Sequence, residues 1–273
     1  MPPDAFAFAL VGAVVHASWN LGVGDARSPR STAAMAVVMS VVVGLIPAVV
    51  WWRVALSAVP WIAASSALEL VYIALLARAY ERSDVRGVYP IARGSAPLLV
   101  LTASVAAGAA LTASQVIGVC VVVAGIALVY QRELRAGRGE LLLSLSISVT
   151  IAAYTLIDKV GVRHASPVSY YELVLLVPAA VYGVRTFARP SAPALRRAVN
   201  RVAVMSGAGM FVSYVLILAA LQRAPAATVS AVRESSILMV PLFGAAVRRE
   251  SPGWLASLGA LLTASGVAAV ALR

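Results

Sequence analysis

Long apolar segments recur along the whole chain and are separated by short polar breaks. Some of them, such as residues 37–52 and 115–130, carry no charged side chain at all. A helix needs about 20 apolar residues to cross the hydrocarbon core of a bilayer, so the pattern predicts an all-α integral membrane protein with ten transmembrane helices. The predicted segments are residues 5–23, 32–52, 60–80, 88–108, 111–130, 141–159, 167–186, 202–221, 227–247 and 253–272.

The composition supports this class. The 273 residues are 61% hydrophobic and only 12% charged, with a mean hydropathy of +0.91. Such a chain has too little polar surface to cover a water-soluble globule, and membrane lipid is therefore an expected partner. Because the first apolar segment has no Lys or Arg before it and contains His16, Trp19 and Asn20, we expect it to be a span rather than a cleaved signal peptide.

The charge and the cysteine content exclude other classes. A net charge of +11 would suggest nucleic-acid binding in a soluble chain, but most of the arginines lie at the ends of apolar segments and no basic run alternates with aromatic residues. No nucleic-acid partner is therefore expected. Cys120 is the single cysteine, which excludes an intramolecular disulfide and a thiolate metal cluster. No cofactor or metal is predicted.

The two halves of the chain resemble each other. An offset of 141 positions sets Gly118 on Gly259 and Gly125 on Gly266, and an offset of 138 sets Asn20 on Asp158. We therefore predict two five-helix repeats, residues 1–130 and residues 139–273. An odd number of spans per repeat forces the repeats to be inverted in the membrane, which is the architecture of many secondary transporters with a site at the midplane.

The arginines also predict an orientation. Fifteen arginines fall in the odd-numbered loops, whereas the even-numbered loops and the carboxyl end hold only five basic residues. The positive-inside rule then places the odd-numbered loops in the cytoplasm and both termini outside.

Ionisable groups inside the spans are the candidate site, because each costs about 2.5–3.5 kcal/mol to insert unless it finds a partner or water. Aromatic residues near them can contact a ring or an ammonium group. The candidate substrate-binding residues are His16, Trp19, Asn20, Glu69, Tyr72, Tyr89, Arg93, Tyr154, Asp158, Tyr214, Arg233 and Glu234.

The 141-residue offset puts Arg93 opposite Glu234, which leaves two interpretations open. One is a structural ion pair that holds the bundle together. The other is a site for a zwitterion, in which arginine binds a carboxylate or phosphate and Glu69 or Glu234 binds an amine or carries a proton. Proton coupling is compatible with the second interpretation. Pro90 and Pro97 in the same segment indicate either a helix broken next to a cavity or an ordinary kink.

Four strings carry a family resemblance. With residues 16–20, 89–94, 153–159 and 249–252, the chain resembles the drug/metabolite transporter superfamily, and within it the EamA group of ten-span carriers, over essentially its whole length. The resemblance implies a central cavity lined by the third, fourth, eighth and ninth spans, and export of amino acids or related metabolites. It also implies a bacterial inner membrane and cytoplasmic termini, and the latter conflict with the arginine count.

The leading hypothesis is therefore a secondary active exporter of small molecules, monomeric or homodimeric, that alternates access to a central site. The chain has no phosphate-binding loop for ATP, and we predict that it is not an enzyme. The alternatives are an uptake carrier, a flippase for lipid-linked headgroups, a structural subunit and, remotely, an intramembrane protease with the Gly-x-Gly-Asp string at residues 22–25.

Overall fold

Ten α-helices make up the described fold. The structure is a computed structural model that describes residues 1–24, 26, 29–82, 85–131, 137–188, 199–239 and 253–271. The described residues form no β-strand and a single isolated bridge, between Val54 and Ala165. The helices are α1 (Pro3–Gly24), α2 (Pro29–Val50), α3 (Val59–Arg82), α4 (Val85–Ala106), α5 (Ala113–Val129), α6 (Arg138–Gly161), α7 (Pro167–Phe187), α8 (Arg201–Arg223), α9 (Ala226–Glu234) and α10 (Trp254–Ala271).

Most of these helices are long enough to cross a bilayer. Seven qualify by length and composition within the described residues, namely α1, α2, α3, α6, α7, α8 and α10. The apolar part of α4, Pro90–Ala106, and α5 are shorter, but 17 residues in α5 still extend about 26 Å. The ninth helix continues as a 3-10 turn, Ser235–Leu238, and the rest of the predicted ninth segment lies outside the described residues. The predicted ten-helix integral membrane fold is confirmed.

The distribution of side chains suits a lipid solvent. Large apolar residues face outward: Ile46 is 74% exposed and Leu142 is 67% exposed. Charged residues such as Glu69, Asp158 and Glu234 are buried inside the bundle. A soluble protein shows the opposite arrangement, because burying an unpaired charge away from water is costly. The polar interior therefore marks the part of the molecule to search for a site.

The helix packing has an approximate two-fold symmetry. Replacing each helix by its counterpart in the other half, five helices away, converts one contact into another. The α1–α8 contact becomes α6–α3, the α2–α8 contact becomes α7–α3, and the α4–α6 contact becomes α9–α1. The remaining large contacts, α2 with α7, α4 with α9 and α5 with α10, pair each helix with its own counterpart. Exchange of the first five helices for the last five thus leaves the packing pattern unchanged. The residue boundaries of the two repeats, 1–130 and 139–273, stay a prediction.

The α5–α10 contact shows that the counterparts run in opposite directions. A Cβ atom added to Gly118 would lie 2.9 Å from the Gly266 carbonyl oxygen, and one added to Gly125 would lie 2.7 Å from the Gly259 carbonyl oxygen. The residue number therefore rises along α5 as it falls along the facing part of α10. The 141-residue offset converts the first of these two contacts into the second. This antiparallel pairing, as expected for inverted repeats, needs glycine at the crossing so that the backbones can approach.

Helix α4 runs through both of its prolines. The structure has one helix from Val85 to Ala106, with Pro90 and Pro97 inside it, so the interpretation as a broken helix is wrong and the kink interpretation remains. Proline removes a backbone hydrogen bond in the preceding turn. Between the two prolines, the Ser148 hydroxyl of α6 donates to the Ala92 carbonyl of α4, 2.6 Å away. This hydrogen bond connects α4 to α6.

Candidate substrate site

The centre of the site is an ion pair on the symmetry axis. Arg93 of α4 donates through Nε to Glu234 Oε2 of α9 at 2.6 Å, and the two side chains are 4% and 0% exposed. These residues are separated by the 141-residue repeat offset, so each occupies the position of the other in the opposite half. Two equivalent positions meet only near a two-fold axis. The contact that the offset predicts is therefore present, at the place where the two halves join.

Arg233 lies beside this pair and inside an aromatic cage. Its Nε is 3.8 Å from Glu234 Oε1, and its Nη2 donates to the Tyr154 hydroxyl at 3.0 Å. The guanidinium carbon is 5.6 Å from the centre of the Tyr154 ring and 5.1 Å from that of the Tyr214 ring. Contact with the faces of aromatic rings stabilises a cation out of water. Arg233 can therefore stay charged in the bundle and offer its fork to an anionic group.

His16 of α1 also contacts the cluster. Its Nε2 lies 2.6 Å from Nη1 of Arg93, and a guanidinium group can only donate. The histidine must therefore accept at Nε2 and carry its proton on Nδ1, which makes the ring neutral. Trp19 meets the His16 ring edge-on, with 5.0 Å between the ring centroids.

Asp158 of α6 accepts hydrogen bonds from three hydroxyl groups. Ser65 of α3 donates to Oδ1 at 2.6 Å, Tyr170 of α7 donates to Oδ1 at 3.0 Å, and Tyr214 of α8 donates to Oδ2 at 2.6 Å. An ionised carboxylate accepts at both oxygens, and three donors compensate for the water that it loses on burial. Asp158 therefore ties α6 to three neighbouring helices.

Glu69 of α3 completes the group of carboxylates. Its side chain is buried inside the bundle. Asp158, Arg233 and Arg93 are all close enough to act on its charge. The cluster thus brings together three carboxyl groups and two guanidinium groups from four helices, α3, α4, α6 and α9. Helix α1 contributes the neutral histidine.

Aromatic side chains form one wall of the cluster. Tyr72 meets Tyr154 edge-on, with centroids 6.0 Å apart, and Tyr214 stacks on Tyr171 with centroids 4.5 Å apart. Phe211 extends this wall, 5.8 Å from Tyr171. Such rings can bind an apolar or aromatic group of a ligand while the neighbouring charges orient it.

Sequence reasoning missed several of these residues. Ser65, Tyr170, Tyr171 and Phe211 are uncharged, and beyond the adjacency of the two tyrosines nothing in the sequence sets them apart from the other polar and aromatic residues of the apolar segments. The adjacent pair Tyr170-Tyr171 inside the seventh segment was an available signal. Glu172, the next residue, was also missed: it is buried, and neither of its oxygens has a hydrogen-bond partner among the described residues.

Two predicted residues, Asn20 and Trp19, make no hydrogen bond to the charged groups of the cluster within the described part of the chain. The Asn20 amide donates to the His16 carbonyl of its own helix at 2.8 Å, and its place in the substrate site stays a prediction. The Trp19 indole N–H is buried and has no partner in the described part of the chain. Tyr89 lies in α4, but its side chain is outside the described residues, as is Asp25 of the Gly-x-Gly-Asp string.

A separate cavity of about 760 Å³ opens at one end of the bundle. Its lining consists of Trp52, Arg53, Val54, Ala55, Arg163, His164 and Ala165. These residues belong to the α2–α3 and α6–α7 connections, joined by the Val54–Ala165 bridge. None of the predicted site residues lines it, so this cavity is distinct from the buried cluster.

A ten-helix membrane fold with charged groups buried at the contact between its halves is typical of polytopic membrane transporters. Residues 138–272 match the sequence model of the EamA-like transporter family. This half of the chain is therefore similar to that family, whose members are transporters of the drug/metabolite transporter superfamily.

Comparison with solved structures concerns the fold alone. A crystal structure of another protein superposes with a TM-score of 0.79, covers 99% of this chain and 98% of its own, and is 14% identical in sequence. Among curated protein sequences, none matches this chain.

Proposed function

We propose that the protein is a secondary active transporter that exports amino acids or related small zwitterions by alternating access to the buried cluster. The observation that carries the proposal is the convergence of Arg93, Arg233, Glu69, Asp158 and Glu234 on one place between the two halves. Charged groups inside a membrane protein mark a substrate or ion pathway. Here they come from both repeats, which is where inverted-repeat carriers bind their substrates.

The chemistry of the cluster suits a zwitterion. Arg233 can bind a carboxylate through two parallel N–H groups, since its guanidinium is fixed by two aromatic rings but is paired with Glu234 only at 3.8 Å. Glu69 and Asp158 lie within range of the same guanidinium and can receive an ammonium group. The tyrosine wall then accommodates the side chain of the ligand. The carboxylate of such a ligand would then face Arg233, and its ammonium group would face Glu69 and Asp158.

The burial of the cluster implies a moving protein. Glu234 and Asp158 are fully buried, so a substrate reaches them only if helices separate on one side. Inverted repeats provide two such states by exchanging the conformations of the two halves. We place the protein in a bacterial inner membrane, with the arginine-rich loops in the cytoplasm, and expect the energy to come from an ion gradient.

The test is exchange of labelled leucine in proteoliposomes. Wild-type protein should exchange external labelled leucine for internal leucine, and should discriminate against analogues that lack the ammonium or the carboxylate group. Glu69→Gln should lower exchange at least about tenfold, since loss of a charged hydrogen bond costs about 1.5–3 kcal/mol.

A matched control is Glu140→Gln. Glu140 accepts a hydrogen bond from the Gly137 N–H at the start of α6, a contact that glutamine can keep, and its exchange rate should equal that of the wild type. Equal rates for Glu69→Gln and wild type, or absence of amino-acid exchange by the wild type, would contradict the proposal. Movement of labelled phospholipid instead of leucine would favour the flippase alternative.

A further inference from the structure

Glu172 of α7 carries a buried carboxyl group that takes no part in the charged cluster. The residue is 3% exposed, and neither of its carboxyl oxygens has a hydrogen-bond partner among the described residues. Two other buried carboxyl groups differ: Asp158 accepts from three hydroxyl groups, and Glu234 pairs with Arg93. An ionised carboxyl group without such partners is unfavourable away from water. The surroundings of Glu172 therefore favour its neutral, protonated form.

Three helices enclose this carboxyl group in a narrow space, which we call the Glu172 niche. A Cβ atom added to Gly44 of α2 would overlap both Glu172 Oε2 and the Phe211 ring of α8, so these three residues meet at one point. A metal cation needs several ligands, and the described residues contain no group of three His, Cys, Asp or Glu side chains that could hold one. A glycine and an aromatic ring add no side-chain ligand. A proton is therefore the cation that fits the niche.

The Glu172 niche lies inside the spans and not at their ends. Glu172 is in the second turn of α7, which begins at Pro167, and Gly44 is in the last turn but one of α2, which ends at Val50. Both residues are therefore roughly 8 Å from the helix ends, and water reaches the carboxyl group only when α2, α7 and α8 separate. Because α2 and α7 are counterparts that pack on each other, an exchange of conformations between the two halves changes this contact.

We propose that Glu172 is a proton-binding site that links proton uptake to closure of the contact between α2, α7 and α8. The proposal goes beyond the proposed function, because the site lies outside the substrate cluster and does not depend on the identity of the substrate. When the helices separate, the Glu172 O–H bond breaks, the proton passes to water and an ionised carboxylate remains. When they close, the proton is taken up again. Since the proton binds the closed form more tightly, low pH favours closure and high pH favours separation.

The proton site belongs to one half only. The 138-residue and 141-residue offsets set Glu172 on Ala34 and Ser31, and neither of these side chains titrates near neutral pH. The equivalent contact in the other half therefore has no group that responds to pH at this position. A change of pH then acts on one of the two inversion-related contacts and biases the exchange of conformations between the halves.

Phe211 connects the Glu172 niche with the proposed substrate site. Its ring lies 5.8 Å from that of Tyr171, which stacks on Tyr214 with centroids 4.5 Å apart. The Tyr214 hydroxyl in turn donates to Asp158 at 2.6 Å. One aromatic side chain thus belongs both to the niche and to the wall of the cluster. Separation of α2, α7 and α8 therefore changes the wall against which a substrate side chain would pack.

The other titratable groups of these helices make no contact of their own with the Glu172 carboxyl group. None of them is its hydrogen-bond partner among the described residues, and the described side chains of α2 include no titratable group. The groups on the helices packed against the niche are Glu69, Tyr72 and Arg78 of α3, Tyr170, Tyr171, Tyr182 and Arg185 of α7, and Arg201, Tyr214 and Arg223 of α8.

The first experiment measures the distance between spin labels on the helices that flank the niche, in lipid-embedded protein without substrate. In a Cys120→Ala background, Ile46→Cys of α2 and Val212→Cys of α8 place the two labels at exposed positions. The ratio of the shorter to the longer distance population should fall as the pH rises, by at least about threefold and at most about tenfold per pH unit, because one proton is released.

Glu172→Gln should remove this dependence, because the amide is neutral at every pH and the shorter distance should then dominate throughout. Glu140→Gln is the matched control: it replaces a carboxyl group at the start of α6 that already has a partner, the Gly137 N–H, and should respond to pH as the wild type does. An equal pH response in Glu172→Gln and the wild type, or no response in the wild type, would overturn the proposal.

A second measurement detects the proton itself. The infrared spectrum of the wild type at neutral pH should contain the carbonyl stretch of a protonated carboxyl group, shifted in deuterated water, and Glu172→Gln should lose part of this band. Gly44→Ala should lose the same part although it keeps the carboxyl group, because the added methyl group displaces Glu172 from the niche.

Gly183→Ala is the control for Gly44→Ala on the same pair of helices. A Cβ atom at Gly183 would lie 3.4 Å from Val38, an ordinary contact, so its spectrum should match that of the wild type. Identical bands in Glu172→Gln and the wild type would overturn the proton site even if leucine exchange is observed. If leucine exchange is absent while the distances and the band behave as expected, the proposed function fails and the proton site stands.

Discussion

The carboxyl-terminal parts of α1 and α6 occupy equivalent positions in the two halves, but their contacts differ. The 138-residue offset sets Asn20 on Asp158, and the 141-residue offset sets Ser65 on Ser206. In α6, Asp158 is fully buried and receives the Ser65 hydroxyl at 2.6 Å. In α1, Asn20 is partly exposed and binds its own helix, while Ser206 donates to the Trp19 carbonyl at 3.4 Å.

This difference shows how a symmetric fold can have two unlike ends. Inversion of the repeats puts Asp158 towards one membrane face and Asn20 towards the other. The face near Asp158 is held by three hydrogen bonds to a carboxylate, which are stronger than bonds to a neutral acceptor. Among the described residues, the corresponding place near Asn20 has one long hydrogen bond, from Ser206 to the Trp19 carbonyl. We therefore expect the Asp158 side to be held more firmly than the Asn20 side.

The largest expected effect comes from separating the halves at their common ion pair. Arg93→Gln leaves Glu234 buried without its main partner, and we expect a loss of about 3–5 kcal/mol in stability, measured by denaturant unfolding in detergent. The double variant Arg93→Met with Glu234→Met should recover most of this loss, because neither charge is then left alone. A single variant as stable as the wild type would contradict the central position of this pair.

A smaller effect tests the symmetry at the α5–α10 crossing. Gly118→Val and Gly259→Val should each cost about 1–3 kcal/mol by overpacking, since an added Cβ would lie within 2.9 Å of the facing backbone in both cases. Their costs should be similar because the two positions are equivalent. Gly139→Val is the control, since no atom lies within 4 Å of a Cβ there. A large difference between the two crossing variants would break the repeat correspondence on which the comparison of α1 and α6 rests.

The smallest effect concerns the two ends themselves. In a Cys120→Ala background, the rate at which a thiol reagent labels Ala165→Cys reports on the Asp158 side. The labelling rate of Val23→Cys reports on the Asn20 side. Asp158→Asn should raise labelling at position 165 by about tenfold, equal to about 1.4 kcal/mol, near the value of one charged hydrogen bond.

Labelling at position 23 should not change in that variant. Asn20→Asp should lower labelling there, because it offers Ser206 a carboxylate to bind. If Asp158→Asn changed both reporters equally, the two ends would not be held separately.

The fold was largely predictable from the sequence, because lipid imposes one rule on every span: about 20 apolar residues must satisfy their backbone hydrogen bonds internally. The Arg93–Glu234 contact was predictable for a similar reason, since the repeat offset fixes which positions meet at a two-fold axis. The unlike fates of Asn20 and Asp158 were not. Both are polar residues at the same repeat position, and only packing decides that one amide binds its own helix while the other side chain reaches Ser65.

Two of the three hydroxyl partners of Asp158, Ser65 and Tyr170, escaped prediction because no local signal marks them as its partners. Ser65 and Tyr170 resemble the many serine and tyrosine residues that occur in membrane helices without a site. Their role depends on three helices meeting at one carboxylate, which no local pattern encodes. The extent of the ninth helix is a different case: its first nine residues match the predicted segment closely, and its remainder lies outside the described residues.

The most direct measurement of the proposed function is the KM for leucine exchange in two arginine variants. Arg233 lies in the buried cluster, whereas Arg223, one helix earlier, forms a partly exposed ion pair with Asp4. Arg233→Gln should lower kcat/KM at least about tenfold, mainly through a higher KM, because a charged hydrogen bond to the substrate is lost. Arg223→Gln should exchange leucine as the wild type does. Equal kinetics in the two variants would contradict a substrate site at the cluster.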